Sequence, residues 1–282
     1  MSNPGGPSAR WLFKPRTVKV LTAPKSAPCT VRTYQRGEDW AEKVAAELAH
    51  LAGVPAALVE LATLDGARGS MSRDLQPPGW GMHGGGVLIE AVDERYQPRT
   101  DVDKRANRVG HNLDNVERVL NGASGPPETA YSDWAAFDVF AGFLAFDAWI
   151  ANTDRHEDNW QVLHGPNGEL QLAPSFDHGS ALGSGLMDEK RAALLTDGDV
   201  RRWCARGSAH RFEGMGSTTL VDLARAALER TSSPARAYWL AQLASVGRDA
   251  CHALVESVPE MSASARTFVI DLLAVNQERI CS

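Results

Sequence analysis

The sequence predicts an α+β fold in two lobes: a small sheet-bearing N-lobe over residues 1–100 and a larger, mostly helical C-lobe over residues 101–282. Three observations carry this expectation. Short strand-like pieces cluster before residue 100 around a single strong helical pattern. A polar, charged stretch, Gln97–Arg108, then marks a seam. Beyond it, apolar residues recur at helical spacing in long runs.

In chain order, Trp11-Leu-Phe-Lys14-Pro15 and Val18-Lys19-Val20 read as short strands. A helix is expected from Glu38 to Ala52, stopped by Gly53 and Pro55. Ala57–Leu64 reads as extended, and so does Gly86–Val92, after a glycine-rich turn at Gly79, Gly81, Gly84 and Gly85. Asn112–Leu120 is a short helix and Ser132–Ala151 a long one, with Phe140, Phe143, Leu144, Phe146 and Ile150 at helical spacing. Trp160–Leu163 and Leu170–Leu172 form a hairpin joined through Pro166-Asn167-Gly168. Helices follow at Thr218–Arg230, Arg236–Ser257 and Ala263–Ile280. No internal repeat is visible.

Composition narrows the functional class. With 282 residues, 43% of them hydrophobic, the chain can bury a sizeable core. The net charge of −6, from 29 Lys+Arg against 35 Asp+Glu, lacks the basic excess of a nucleic-acid binder, so no direct nucleic-acid binding is expected. Four scattered cysteines (Cys29, Cys204, Cys251, Cys281) form no C-x-x-C pair, which fits a reducing, cytoplasmic setting. The first ten residues hold no apolar core, so no signal peptide is expected. The most apolar run, Phe137–Ile150, is short and interrupted by Asp138 and Asp147, so no membrane span is expected.

The chemistry concentrates around the hairpin. Asn152-Thr-Asp154-Arg155-His156-Glu-Asp-Asn159-Trp160 precedes it, and Phe176-Asp177-His178-Gly179-Ser180 follows it. The hairpin therefore brings the loop 152–160 and the turn 176–180 together. Asp154, Asn159 and Asp177 are hard oxygen donors that suit Mg²⁺ bound to a substrate's phosphates, whereas zinc would ask for more His or Cys. Asp154 and Asn159 have the spacing of the protein-kinase catalytic loop, which is likewise followed by a metal-binding Asp. Such a site also needs an upstream strand lysine and a helix glutamate. Lys14 is the lysine available, although a lone strand lysine also serves solubility. On the helical wheel Glu42 shares an arc with Ala45, Ala46 and Ala49, where another element can approach closely. A carboxylate buried there needs a partner, and Lys14 is the candidate.

These segments resemble the HipA-like kinases, which share a D-R-H-x-x-N loop with phosphatidylinositol kinases. The matching residues are Trp11–Pro15; the helix bearing Glu42, with Glu47-Leu-Ala49, Gly53 and Pro55; Phe146–Trp160; and Leu172–Ser180, with Asp188-Glu-Lys-Arg191 also similar. The resemblance implies a two-lobed protein-kinase-like fold. It implies Lys14 on the ATP phosphates and paired with Glu42, Asp154 as the catalytic base or hydroxyl-orienting group, and Asn159 and Asp177 on Mg²⁺. His156 would support the loop, and the backbone at Leu88, Ile89, Glu90 and Ala91, within Val87–Val92, would be the hinge that holds adenine. Full HipA toxins carry an additional N-terminal subdomain, which this chain is not expected to have. Of a phosphate-covering loop it offers only Gly5–Ala9. That segment is either such a loop, with Ser8 as a self-phosphorylation site, or a plain terminus, and Gly66–Ser72 is a second candidate to close the pocket.

The expected activity is ATP- and Mg²⁺-dependent transfer of the γ-phosphoryl group to a hydroxyl, first that of a Ser/Thr protein or peptide. A small-molecule acceptor, a nucleotide-binding pseudokinase, AMP transfer and magnesium-dependent phosphohydrolysis stay open, as does a regulatory protein partner. Arg201, Arg202, Arg206 and Arg211, with Trp203 and His210, form a basic cluster that either receives an acidic substrate or is a solvated loop. His83 reads as a turn residue, and Trp11, Trp134, Trp149 and Trp239 as core packing.

Overall fold

The computed structural model describes residues 10–21, 32–98 and 108–282. The expected loop at Gly5–Ala9, Ser8, Cys29 and most of the Gln97–Arg108 seam lie outside them.

Strands β1 (Trp11–Pro15), β4 (Val59–Leu64) and β5 (Ala67–Arg73) form an antiparallel sheet in the order β1-β5-β4. The register sets Lys14 opposite Ser70 and Pro15 opposite Gly69, where a Cβ would collide with the Lys14 carbonyl. Strands β2 (Val18–Leu21) and β3 (Arg32–Gln35) make a separate ribbon, and β3 was not legible in the sequence. Helix α1 (Glu38–Leu51) buries Trp40, Val44 and Leu48 together with the arc of Glu42, Ala45 and Ala49. Gly66, at the β4–β5 turn, has a left-handed φ of 80°, a Cβ there would meet no atom within 4 Å, and the rest of Gly66–Ser72 is paired strand.

Residues 81–92 correct the expectation. The glycine-rich stretch is itself a strand, β6 (Gly81–Gly84), and the expected strand is helix α2 (Gly85–Glu90). A short apolar run such as Val87-Leu88-Ile89 carries no period that separates strand from helix. Packing decides here. Gly85 N–H donates to Trp160 O at 3.0 Å and Gly86 N–H to Glu157 O at 3.2 Å, and a Cβ on Gly85 would run into the Trp160 ring. β6 joins β7 (Gln161–His164) and β8 (Leu170–Leu172) in a second antiparallel sheet, so strand pairing crosses the seam expected near residue 100.

The remainder is helical. Asn112 caps α3 (Leu113–Leu120) through its side chain. Helix α4 (Ala136–Trp149) is buried on nearly every side, which is why its run is apolar throughout. It starts at Ala136 rather than Ser132, because Ser124 bridges to Ala135 and the residues before it are turns. Helices α5 (Asp188–Thr196), α6 (Val200–Cys204) and α7 (Leu220–Glu229) follow. The expected helix Arg236–Ser257 is two, α8 (Ser233–Ser245) and α9 (Arg248–Ser257), broken at extended Val246 and Gly247. Gln277 of α10 (Ala263–Cys281) satisfies the carbonyls exposed by the break, donating to Leu243 O at 2.7 Å and Val246 O at 2.9 Å. Trp149, Trp239, Phe140 and Phe268 fill the core, while Trp11 and Trp134 are only partly buried. Cys204, Cys251 and Cys281 are free thiols, and His83 lies on β6 beside His164 rather than in a turn. Among the described residues no helix is long and apolar enough to cross a membrane.

Candidate active site

The loop before β7 and the turn after β8 converge on the open face of β1 and α1. Lys14, Glu42, Ser70, Asp154, Asp177 and Ser180 line one cleft of about 260 Å³. A larger hollow of about 380 Å³, lined by Arg16, Trp40 and Arg191 among others, holds none of these groups.

Lys14 Nζ lies 2.8 Å from Asp177 Oδ1. Burial works against its charge, but Asp177, joined by Glu42 and Glu38, outweighs it and the pKa is raised. The direct ion pair of Lys14 is with Asp177, while Glu42, whose charge also acts on Lys14, hydrogen-bonds the turn. Its Oε1 accepts the His178 N–H at 2.9 Å, and a Cβ on Gly179 would stand 3.2 Å from its Oε2. The small residues beside Glu42 admit this turn, not the lysine. Burial first, then the charge of Asp177, push the Glu42 carboxyl up to about 7, against the His178 and Gly179 N–H groups and Lys14. Asp177 holds a left-handed φ of 60°, a conformation that Asp tolerates better than most residues.

The catalytic-loop candidates are anchored from below. Arg155 is 3% exposed and binds Asp147 of α4 through Nε at 2.7 Å and through its other nitrogen at 2.9 Å. It also donates to Asn159 O at 2.6 Å and Ser175 Oγ at 2.8 Å. Ser175 Oγ lies 2.8 Å from His178 Nε2, and burial holds that imidazole neutral, with its pKa well below the usual histidine value. The invariant demand of a buried charge for partners thus ties α4, the loop and the turn into one network.

Above this network Asn159 Nδ2 donates to Asp154 O at 2.8 Å, and Asn152 Oδ1 accepts the Asp154 N–H at 3.1 Å. His156 is buried; its N–H donates to Asp154 O at 2.8 Å and its Nδ1 accepts from Asp158 N at 3.2 Å. Ser180 Oγ donates to Asp154 Oδ2 at 3.3 Å, and Arg211 forms an ion pair with Oδ1.

Leu88, Ile89, Glu90 and Ala91 are not part of the cleft lining. They sit on or just past α2, with Ile89 fully buried, so the extended adenine hinge expected there is corrected to helix. The basic cluster also disperses. Arg201 pairs with Glu278, Arg202 faces Asp199 at 3.9 Å and Trp203 packs on Phe268, whereas Arg211 pairs with Asp154 and His210 lies within electrostatic reach of both. Ser180 ends the Phe176–Ser180 motif and Ser70 lies in Gly66–Ser72, but the contacts of Ser180 and Arg211 with the Asp154 carboxylate had no signal in the sequence.

Asp154, Asn159 and Asp177 bring only hard oxygen donors, the type that suits a cation such as Mg²⁺. Asp177 offers one carboxylate, and Asn159 spends its nitrogen end on Asp154, so its oxygen is the end for a cation. Among the described residues no group of three or more His, Cys, Asp or Glu is placed to hold a metal ion.

No protein-family model matches the chain, and no curated protein does. Solved structures do. The proinflammatory kinase CtkA of Helicobacter pylori superposes with a TM-score of 0.63 at 18% identity, over 94% of this chain and 86% of that one. HipA of Shewanella oneidensis MR-1, from a complex with HipB and operator DNA, aligns with a TM-score of 0.49 at 13% identity, over 90% of this chain and 58% of that one. The chain shares the α+β fold of the CtkA kinase.

Proposed function

We infer that this chain is a HipA-like kinase that moves the γ-phosphoryl group of ATP, with Mg²⁺, to a Ser/Thr hydroxyl of a protein or peptide. The observation that carries the reading is the single cleft into which Lys14, Glu42, Asp154 and Asp177 project from four separate segments. The fold shared with a kinase supports it.

The roles follow from charge and reach. Lys14 is a cation for the phosphates and is released to them from Asp177. Asp177 and the Asn159 oxygen would hold Mg²⁺, which when bound supplies neutralisation of phosphate charge. Glu42 fixes the turn that carries Asp177. Asp154 orients the acceptor hydroxyl and takes its proton; the Ser180 hydroxyl on Oδ2 illustrates an alcohol at that oxygen. Catalysis on this reading is positioning plus electrostatics rather than covalent chemistry. The chain leaves the first sheet after Arg73 and enters the second at Gly81. We place the adenine-facing backbone, and the lobe boundary, in that 74–80 connection.

Incubation with Mg·ATP and dephosphorylated casein, followed by intact-mass measurement, tests the reading. Addition of phosphoryl groups that disappears in Asp154→Ala and Asp177→Ala supports it. Addition of AMP, or equal modification by all three proteins, contradicts it.

A further inference from the structure

Arg211 comes from the segment between α6 and α7, far in sequence from the loop it touches. Its guanidinium pairs with Asp154 Oδ1, while Oδ2 carries the Ser180 hydroxyl, so the two carboxylate oxygens have different partners.

The backbone of Arg211 is held by a buried histidine. His111 Nδ1 lies 2.7 Å from Arg211 O, and Trp160 Nε1 lies 3.2 Å from His111 Nε2. An indole N–H only donates, so Nε2 must be the unprotonated nitrogen and Nδ1–H donates to the Arg211 carbonyl. Burial pushes the His111 pKa down to about 4, which keeps this tautomer neutral. Phe212 stacks on the same ring at 4.3 Å between centroids. Glu213 N–H donates to His111 O at 2.7 Å, and its carboxylate accepts from Gly110 N at 3.0 Å and Asn112 Nδ2 at 2.7 Å. The circuit closes on the catalytic loop, because Trp160 follows Asn159 and Asn159 Nδ2 donates to Asp154 O. The loop therefore holds Arg211 at both ends: its side chain at Asp154, its carbonyl through His111 and Trp160.

We propose that Arg211 is a positioning residue for phosphoryl transfer, which occupies Oδ1 of Asp154 and so presents Oδ2 to the acceptor hydroxyl. This rests on the reading of Asp154 as the group that orients that hydroxyl. In the step it serves, the acceptor oxygen bonds to the γ-phosphorus as the bond from that phosphorus to the bridging oxygen breaks. The electron pair of the broken bond leaves with ADP, and the hydroxyl proton passes to Asp154. Without Arg211 the carboxylate turns about its terminal torsion, which is broad for Asp, and the hydroxyl loses its fixed seat. Lys14 and Asp177 are untouched, so ATP binding is not affected.

The test compares wild type, Arg211→Met and Arg211→Lys by steady-state transfer from Mg·ATP to dephosphorylated casein, with melting temperatures alongside. The expected result is a kcat loss of about 10²-fold in Arg211→Met, with KM for ATP within about twofold and melting unchanged. Arg211→Lys restores most of the rate. A folded Arg211→Met with wild-type kcat overturns the proposal, and so does a loss carried by KM for ATP. Equal losses in both variants with a lowered melting temperature also overturn it, since that marks a structural role. If Arg211→Met does not fold, Arg211→Lys decides: transfer retained supports the proposal, and a folded but inactive protein overturns it. No transfer by wild type removes the kinase reading and this proposal together, whereas transfer by wild type and Arg211→Met alike removes the proposal alone.

Discussion

The main-chain N–H of His178 donates to Glu42 Oε1 at 2.9 Å, joining α1 to the turn that bears Asp177 across 136 positions of sequence. Together with the Gly179 N–H, this bond seats the turn where a metal-ligating carboxylate would stand, and it places the helix glutamate under that turn. It also buries a carboxyl beside a second one, with a consequence for pH.

The Glu42 carboxyl is raised to about 7 in the folded chain from an ordinary value of 4.5, chiefly by burial. A raised folded pKa means that the native state binds the proton more tightly than the unfolded state does. The stabilisation is complete below pH 4.5 and is lost as pH rises through 7, amounting to about 3 kcal/mol. Wild type should therefore lose more stability between pH 5 and pH 8 than Glu42→Gln, which keeps the acceptor oxygen and never ionises. Urea melts of both proteins at the two pH values measure this, and parallel curves would count against it.

Asp147 and Arg155 form an ion pair in which both side chains are at most 3% exposed. Asp147→Asn leaves the guanidinium buried without its counter-charge and should cost about 3–5 kcal/mol in chemical unfolding. The pair Asp147→Leu with Arg155→Met should recover much of that stability while transfer stays lost, because Asn159 O and Ser175 Oγ lose their donor. A double variant that regains both stability and transfer would show that the network does not hold the loop.

Trp160→Phe removes the only donor that the ring of Trp160 offers to His111 Nε2. The buried nitrogen loses its partner, and the expected cost is about 1–3 kcal/mol. Thermal unfolding checks it, and an unchanged midpoint would contradict the tautomer assigned to His111.

Two glycines separate packing from chain freedom. Gly85→Ala drives a methyl group into the Trp160 ring and toward Glu157 O, and should destabilise by about 2 kcal/mol or more. Gly216→Ala meets no atom within 4 Å and should stay within about 0.5 kcal/mol of wild type. Equal effects at the two positions would argue against helix α2 abutting the loop.

Much of this arrangement was legible in the sequence, for physical reasons. The hairpin is local, so Asp154 and Asp177 could be brought to one cleft from turn residues and alternation alone, whereas Asn159 is buried beside Asp154 and does not line that cleft. The small residues beside Glu42 correctly announced a close approach. They could not say by what, since a strand lysine and a backbone turn fit the same space. Leu88–Ala91 was misread because a short apolar run has no period, and the contact that makes it helical is with Trp160, some seventy residues away in sequence. The break between α8 and α9 hid behind continuous helical spacing, with Gly247 as its single signal. Arg211 was seen only as one of several arginines, because charge composition does not reveal which of them folds back on a carboxylate.

The most direct test of the central claim is the fate of label from ATP. With Mg²⁺ present, γ-labelled ATP should transfer its label to a protein hydroxyl, and α-labelled ATP should not. Asp177→Asn and Asp154→Asn, both near-isosteric, should each abolish that transfer while remaining folded. Label arriving from the α position, or full transfer by both variants, would contradict the account.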